Sequence, residues 1–229
     1  MKCLKKLAMG ASIVGLTLTL GACGQDQSSK DKEKTVTMAE ILNGKQERKI
    51  VMTYDRGHGQ SPDVQWAGTI GNGKVEIYPY SHYNNDLESF EFNEIKDKSM
   101  KDYKKILKQR TKEYSNQKER KLNIKPEKAR LLYRPNDEGD KAEYIGLDYN
   151  AKAYDDKEEF LMKNKAYKVI VKDHPKQWLE IRTKDESGKG WTQYHMHIEA
   201  KDGEKNLRKE NLEEVKKKYD NIKILERAS

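Results

Sequence analysis

Two cysteines, Cys3 and Cys23, are all that 229 residues contain. So few thiols cannot supply a disulfide framework or a four-thiolate zinc site. Other signatures are missing too. There is no Gly-x-Ser-x-Gly nucleophile elbow, no His-Glu-x-x-His and no glycine-rich phosphate loop. No catalytic centre and no cofactor are therefore expected. The longest apolar run, Leu7 to Leu20, is shorter than the roughly 20 residues a membrane-spanning helix needs. Apolar residues make up 34% of the chain and charged residues 37%, with 13 tyrosines against 3 phenylalanines, so a thin core with much tyrosine half-buried at surfaces is expected.

What is present begins with "LTLTLGACGQDQSSK", residues 16 to 30, where an apolar run stops at a cysteine and gives way to polar residues. Lys2, Lys5 and Lys6 precede that run as a positive n-region, and Leu7 to Leu20 has the length of a secretory h-region. Leu20-Gly21-Ala22-Cys23 resembles the lipobox of bacterial lipoproteins. The lysine-heavy usage is similar to that of small surface lipoproteins of low-GC Gram-positive bacteria, the staphylococcal type. The resemblance implies a diacylglyceryl group on the Cys23 thiol, cleavage before Cys23, and a cell-membrane location on the extracellular face. Residues 1–22 would then be a signal peptide, and residues 23–34 a flexible tether without apolar side chains after Cys23. Loss of Lys2, Lys5 and Lys6 would take the formal charge from +8 to +5. The resemblance covers only this N-terminal stretch.

Residues 35–229 read as an α+β domain, an antiparallel sheet built from hairpins with two main amphipathic helices. Thr37 and Glu40 form a capping-box pattern opening a short helix that ends near Asn43-Gly44. "RKIVMTY", 48–54, is a strand, and "DRGHGQSPD", 55–63, a loop whose His58, Asp55 and Arg56 match no phosphate signature. In "VQWAGTIGNGKVEIYPY" the Asn72-Gly73 pair suits a two-residue type I′ turn. Pairing Gly71 with Lys74 sets Ile70 opposite Val75, Gly68 opposite Ile77 and Trp66 opposite Pro79. Val64, Trp66, Ile70, Val75 and Ile77 then share one face, and Gln65, Thr69, Glu76, Tyr78 and Tyr80 the other. "LESFEF" is a short-strand candidate.

A helix over about 99–117 buries Met100, Tyr103, Leu107 and Tyr114. A second hairpin turns around Asp137 to Asp140. A short helix is expected near Lys157 to Met162, then a strand "KAYKVIVKD", a third hairpin "QWLEIRTKDESGKGWTQYHMHIEA", a helix over about 207–219 and a strand Ile222 to Leu225. Two related halves split near residue 122 are a further reading, since each half holds a Gln-Trp hairpin.

Two surfaces stand out. In the third hairpin, Ile181 opposite Tyr194 and Leu179 opposite Met196 would keep one face apolar. The other face would present His174, Trp178, Glu180, His195, His197 and Glu199. His-x-His on a strand aims two imidazoles the same way. It suits a metal site, a ligand site without metal, or a plain solvated face. The second surface is the helix: residues 98 to 121 carry ten Lys and Arg against Asp102, Glu113 and Glu119. Lys101, Lys104, Lys105, Lys108 and Lys112 fall on a single flank, suited to an anionic surface. No nucleic-acid partner is expected, because interleaved aromatics are missing. The function expected is a non-catalytic, lipid-anchored binding or interaction module at the cell envelope. Its partner would be anionic envelope polymer, membrane or a surface protein. The alternative is a metal-dependent or histidine-using enzyme built on the third hairpin.

Overall fold

The computed structural model describes residues 34–55, 61–80, 88–117, 122–149, 160–163, 166–169, 178–184 and 191–226. In chain order the elements are β1 (Lys34–Val36), α1 (Met38–Asn43), β2 (Arg48–Tyr54), β3 (Asp63–Gly71), β4 (Lys74–Pro79), α2 (Met100–Gln117), β5 (Glu127–Pro135), β6 (Ala142–Tyr149), β7 (Phe160–Lys163), β8 (Ala166–Val169), β9 (Trp178–Lys184), β10 (Trp191–Glu199), β11 (Glu204–Leu207), α3 (Leu212–Lys218) and β12 (Ile222–Ile224). The fold is α+β, dominated by one antiparallel sheet. Its strands run in the order β7-β6-β5-β4-β3-β2-β10-β9-β8, with β12 added in parallel to β5. The sheet curls so that β7 comes back against β9. β1 and β11 form a separate parallel pair.

The β3–β4 hairpin has the register its turn dictates: Gly71 pairs with Lys74, Ile70 with Val75, Gly68 with Ile77 and Trp66 with Pro79. Asn72 (φ 55°) and Gly73 (φ 69°) both take the left-handed conformation that a type I′ turn requires. The tip is docked. Asn72 N–H donates to Gly44 O (2.8 Å), Gly73 N–H to Leu42 O (2.7 Å) and Ala129 N–H to Gly73 O (3.0 Å). Beside it Asn43 and Asn221 exchange two amide hydrogen bonds, at 3.1 and 3.0 Å, which tie the end of α1 to the approach of β12.

The middle of the sheet, β2 to β4, is buried on both faces. Inside the curl, Ile50, Met52, Trp66, Ile70, Val75, Ile77, Leu131, Tyr133, Ile145, Leu147, Ile181, Met196 and Ile198 pack with α1 and with Leu212 and Val215 of α3. Outside, Val51, Val64, Ala67, Tyr78 and Tyr80 pack beneath Phe90, Phe92, Ile95, Tyr103 and Leu107. The face of β4 assigned by alternation to Glu76, Tyr78 and Tyr80 is therefore a second core layer, covered by α2. Val64 belongs to that outer layer and not with Trp66. A register shift between Met52 and Thr53, opposite Trp66 and Val64, breaks the alternation there. Tyr80, Tyr103 and Tyr133 are fully buried, against the expectation of half-buried tyrosine.

α1 is capped as its sequence demands. The Thr37 side chain accepts from Glu40 N–H (3.2 Å), and the Glu40 carboxylate accepts from Thr37 N–H (3.0 Å). α2 begins at a similar device, with Ser99 Oγ accepting from Asp102 N–H at 3.1 Å. Its buried stripe is Tyr103, Leu107 and Thr111, flanked by half-buried Met100, Ile106 and Tyr114.

Four expectations need correcting. "LESFEF" makes no strand among its described residues: Glu91 forms a single bridge to Asp63 and Phe92–Glu94 is a 3-10 turn. Residues 160–162, expected in a helix, lie in strand β7, paired with β6; 157–159 fall outside the described residues. The last helix starts at Leu212, because 204–207 is taken into strand pairing with β1. In the third hairpin Trp191 pairs with Lys184 in the expected register, but after a register shift the strands from His195 on pair two residues away from it: Met196 faces Ile181, His197 faces Glu180 and Glu199 faces Trp178. A two-residue slip preserves the side-chain faces, so the alternation alone cannot choose between the registers. Strands before and after residue 122 share the one sheet through the β4–β5 pairing.

Candidate functional site

Strand alternation places Trp178, Glu180, His195, His197 and Glu199 on the outer face of the sheet, as the sequence implies. That face is not a plain solvated one. Phe92 stacks on the His197 ring (4.5 Å, 22°) and meets Trp178 edge to face (5.0 Å). Trp178, His197 and Glu180 are each at most 5% exposed. Glu199 turns toward Lys49, whose Nζ lies 3.1 Å from Glu199 Oε1, donates to Lys98 O (2.5 Å) and sits over the Tyr103 and Trp178 rings. Lys49 stands at the head of the apolar run Ile50 to Met52, directly after Arg48, so the local sequence holds little signal for this buried charge.

The two histidines do different things. His195 Nδ1 bonds Glu180 Oε1, and Arg182 Nε donates to the same oxygen at 2.8 Å. Burial raises the Glu180 carboxyl, but the His195 and Arg182 hydrogen bonds outweigh it and hold the group down at about 2. His197 Nε2 is 2.9 Å from Thr53 Oγ1, and Thr53 Oγ1 is 3.4 Å from His195 O. The Thr53 hydroxyl has one proton. Whichever of His195 O and His197 Nε2 receives it, His197 Nδ1 is buried with no hydrogen-bond partner among the described residues. Burial pushes the His197 imidazole down to about 4, against the pull of Glu180. It is a neutral packing group at pH 7. The imidazole centroids are 6.2 Å apart with different partners, and among the described residues no group of three His, Cys, Asp or Glu is placed to hold a metal. His174 lies outside the described residues, as do His58 and Cys23.

A second site was not visible in the sequence. Glu210, in the link between β11 and α3, is 4% exposed. Its Oε1 accepts from Ala39 N–H (3.0 Å) in the first turn of α1, the Tyr133 hydroxyl of β5 donates to its Oε2, and its backbone O accepts from Ala142 N–H (3.0 Å) of β6. It borders a cleft of about 80 Å³ with Glu40, Arg208, Glu214 and Lys218. Burial pushes the Glu210 carboxyl up to about 7, against the hydrogen bonds from Thr37 and Ala39. The neutral form is the one the fold favours. The cost of ionising it is absent below about pH 4.5, grows up to about pH 7 and stays constant above. Glu210→Gln keeps an acceptor for Ala39 N–H and removes the titration. The variant should gain on the parent from pH 5 to pH 8 by up to about 3 kcal/mol in urea unfolding, at 1.36 kcal/mol per pKa unit. A difference that does not change with pH would refute this.

On α2, the flank reads as the helical period implies, with one change. Lys104 is drawn down between Glu47 Oε1 (2.9 Å) and Glu76 Oε2 (3.2 Å), and both pairs raise its pKa over the opposing effect of burial. Lys101, Lys105, Lys108 and Lys112 are exposed and form no ion pair among the described residues. None of the described helices is long and apolar enough to cross a membrane. No family model, curated protein or solved structure matches this chain.

Proposed function

We propose that this chain is a lipid-anchored cell-surface binding module that meets an anionic partner at the cell envelope through α2. The observation that carries the reading is the state of the helix. Its carboxylate neighbours Glu47 and Glu76 are engaged beneath it by Lys104, and the outer lysines are left exposed. Like charges along one helix flank cost helix stability, so such a row is a cost without a partner and an asset with one. The lipid anchor rests on the lipobox at Leu20 to Cys23. An anchor confines the domain near the membrane, where weak contacts act at high local concentration.

Cys23→Ser should release the protein into the medium, because acyl burial contributes about 0.8 kcal/mol per methylene and the variant has none. Membrane fractionation after a high-salt wash reads this. A Ser variant that stays with the membrane pellet rules out lipid anchoring at this position. The alternative, a histidine-using enzyme, draws on the Glu180–His195 pair alone. A carboxylate that orients one ring nitrogen is how an imidazole base is held.

A further inference from the structure

We infer that the partner of the basic face is a flexible linear polyanion, a chain of phosphodiesters or phosphates, and not a bilayer. The inference rests on the α2 reading above and adds a second row of charge. Lys74 of β4 lies directly opposite Lys128 of β5, and both are exposed. Like charges directly opposed across a strand pair destabilise it. They share the outer face of the sheet with Glu76, which alternates with Lys74 and receives Lys104 of α2 at 3.2 Å. The sheet lysines therefore stand on the side of α2 to which Lys104 points. At 100° per residue Lys101, Lys105, Lys108 and Lys112 lie within about 100° of Lys104 on that same side. The helix row from Lys101 to Lys112 spans roughly 16 Å at 1.5 Å per residue.

The six lysines lie at two levels. α2 rests on the outer face of the sheet, and a helix with its side chains is about 10 Å across. A flat bilayer against the crest of α2 would not reach Lys74 and Lys128 a layer below it. A flexible chain can follow the step. The helix crest also lacks what a bilayer takes up. Every exposed position among the described side chains of α2 is Lys, Asp, Gln or Asn, whereas interfacial helices insert Trp, Phe or Leu.

The test uses the full chain carrying Cys23→Ser, with long-chain inorganic polyphosphate and phosphatidylglycerol vesicles as probes. Polyphosphate binding should weaken with salt, with a slope of about −4 in log K against log salt for six contacts at about −0.7 each. Lys74→Gln with Lys128→Gln should weaken it by about 25-fold, at about fivefold per lysine, and leave vesicle binding unmoved. The urea midpoint of that double variant should equal or exceed the parent's, which shows the loss is not unfolding. A change of less than twofold in the double variant overturns the inference. So does vesicle binding as tight as polyphosphate binding. Either result leaves the α2 reading standing if Lys101→Gln, Lys105→Gln and Lys108→Gln together abolish binding. If that triple variant binds as the parent does, or the parent binds neither probe at low salt, both readings fall.

Discussion

Alanine at Gly68 should cost more than about 4 kcal/mol, in the range that only core disruption reaches. Gly68 sits in β3 between Ile50 of β2 and Ile77 of β4. A Cβ there would lie 2.0 Å from the Glu76 carbonyl oxygen and 2.9 Å from its carbon. Both are backbone atoms of a paired strand, so no side-chain rotation relieves the overlap. The same residue anchors α2. Gly68 N–H donates to the Tyr103 hydroxyl (3.1 Å), and that hydroxyl lies 2.9 Å from Gly68 O and 3.0 Å from Ile50 O. Moving β3 to make room would strand these buried groups as well. Typical domains have about 5–15 kcal/mol in total, so Gly68→Ala should lose most of its cooperative urea transition. A midpoint within about 1 kcal/mol of the parent would mean β4 yields, and would remove the argument.

Arg48→Ala should cost about 3–5 kcal/mol, the range for breaking a buried pair from one side. Arg48 grips Glu204 with both terminal guanidinium nitrogens, Nη1 to Oε2 at 2.5 Å and Nη2 to Oε1 at 3.0 Å, and the side chains are 6% and 2% exposed. Glu204 also accepts Lys201 N–H at 2.9 Å. Burial alone would raise the Glu204 carboxyl; the Arg48 hydrogen bonds hold it below its usual value. Without Arg48 the carboxylate stays buried and uncompensated. The variant should therefore recover stability on acidification, as Glu204 takes a proton, while the parent does not. Arg48→Met with Glu204→Leu should return to within about 1 kcal/mol of the parent, because the cost lies in the orphaned charge. A double-mutant cycle measures this. If the double variant is as unstable as Arg48→Ala alone, shape and not charge is the cause.

Residues close in sequence announced themselves, and residues joined across the fold did not. The β3–β4 register was legible because Asn72-Gly73 and the apolar pattern agree on one pairing. The β9–β10 register was not, because two registers two residues apart present the same faces. What selects one is β2, through Met196 with Met52 and Ile198 with Ile50, more than 140 positions away. The same distance hid the function of the outer face. Thr69, Glu76, Tyr78 and Tyr80 look like a wet surface until α2 is laid over them. His197 and Trp178 look like ligand groups until Phe92 covers them. Glu210 carries no local signal at all, since its burial depends on Ala39 and Tyr133, 171 and 77 residues off. By contrast the lysine flank of α2 needed only the helical period, and Lys104 alone departs from it, because Glu47, just ahead of β2, and Glu76 of β4 reach it from distant parts of the chain.

The two described hairpin tips are unequal as places to graft a sequence. Asn72-Gly73 is the shorter and would be the usual choice for a tag or a label, yet both of its N–H groups are spent on α1 and its neighbours are the Asn43–Asn221 amide pair. An insert there would pull α1 off the end of the curl. The β5–β6 tip is closed by Asn136 N–H on Lys141 O (2.8 Å), and a Cβ built on Gly139 meets nothing within 4 Å. From Asp137 to Gly139 the chain is exposed, and the next anchor is Asp140 O, which receives Leu212 N–H. Foreign residues placed between Asp137 and Gly139 would leave every strand pair and both core layers as they are, which makes that tip the natural handle for attaching a reporter to this protein.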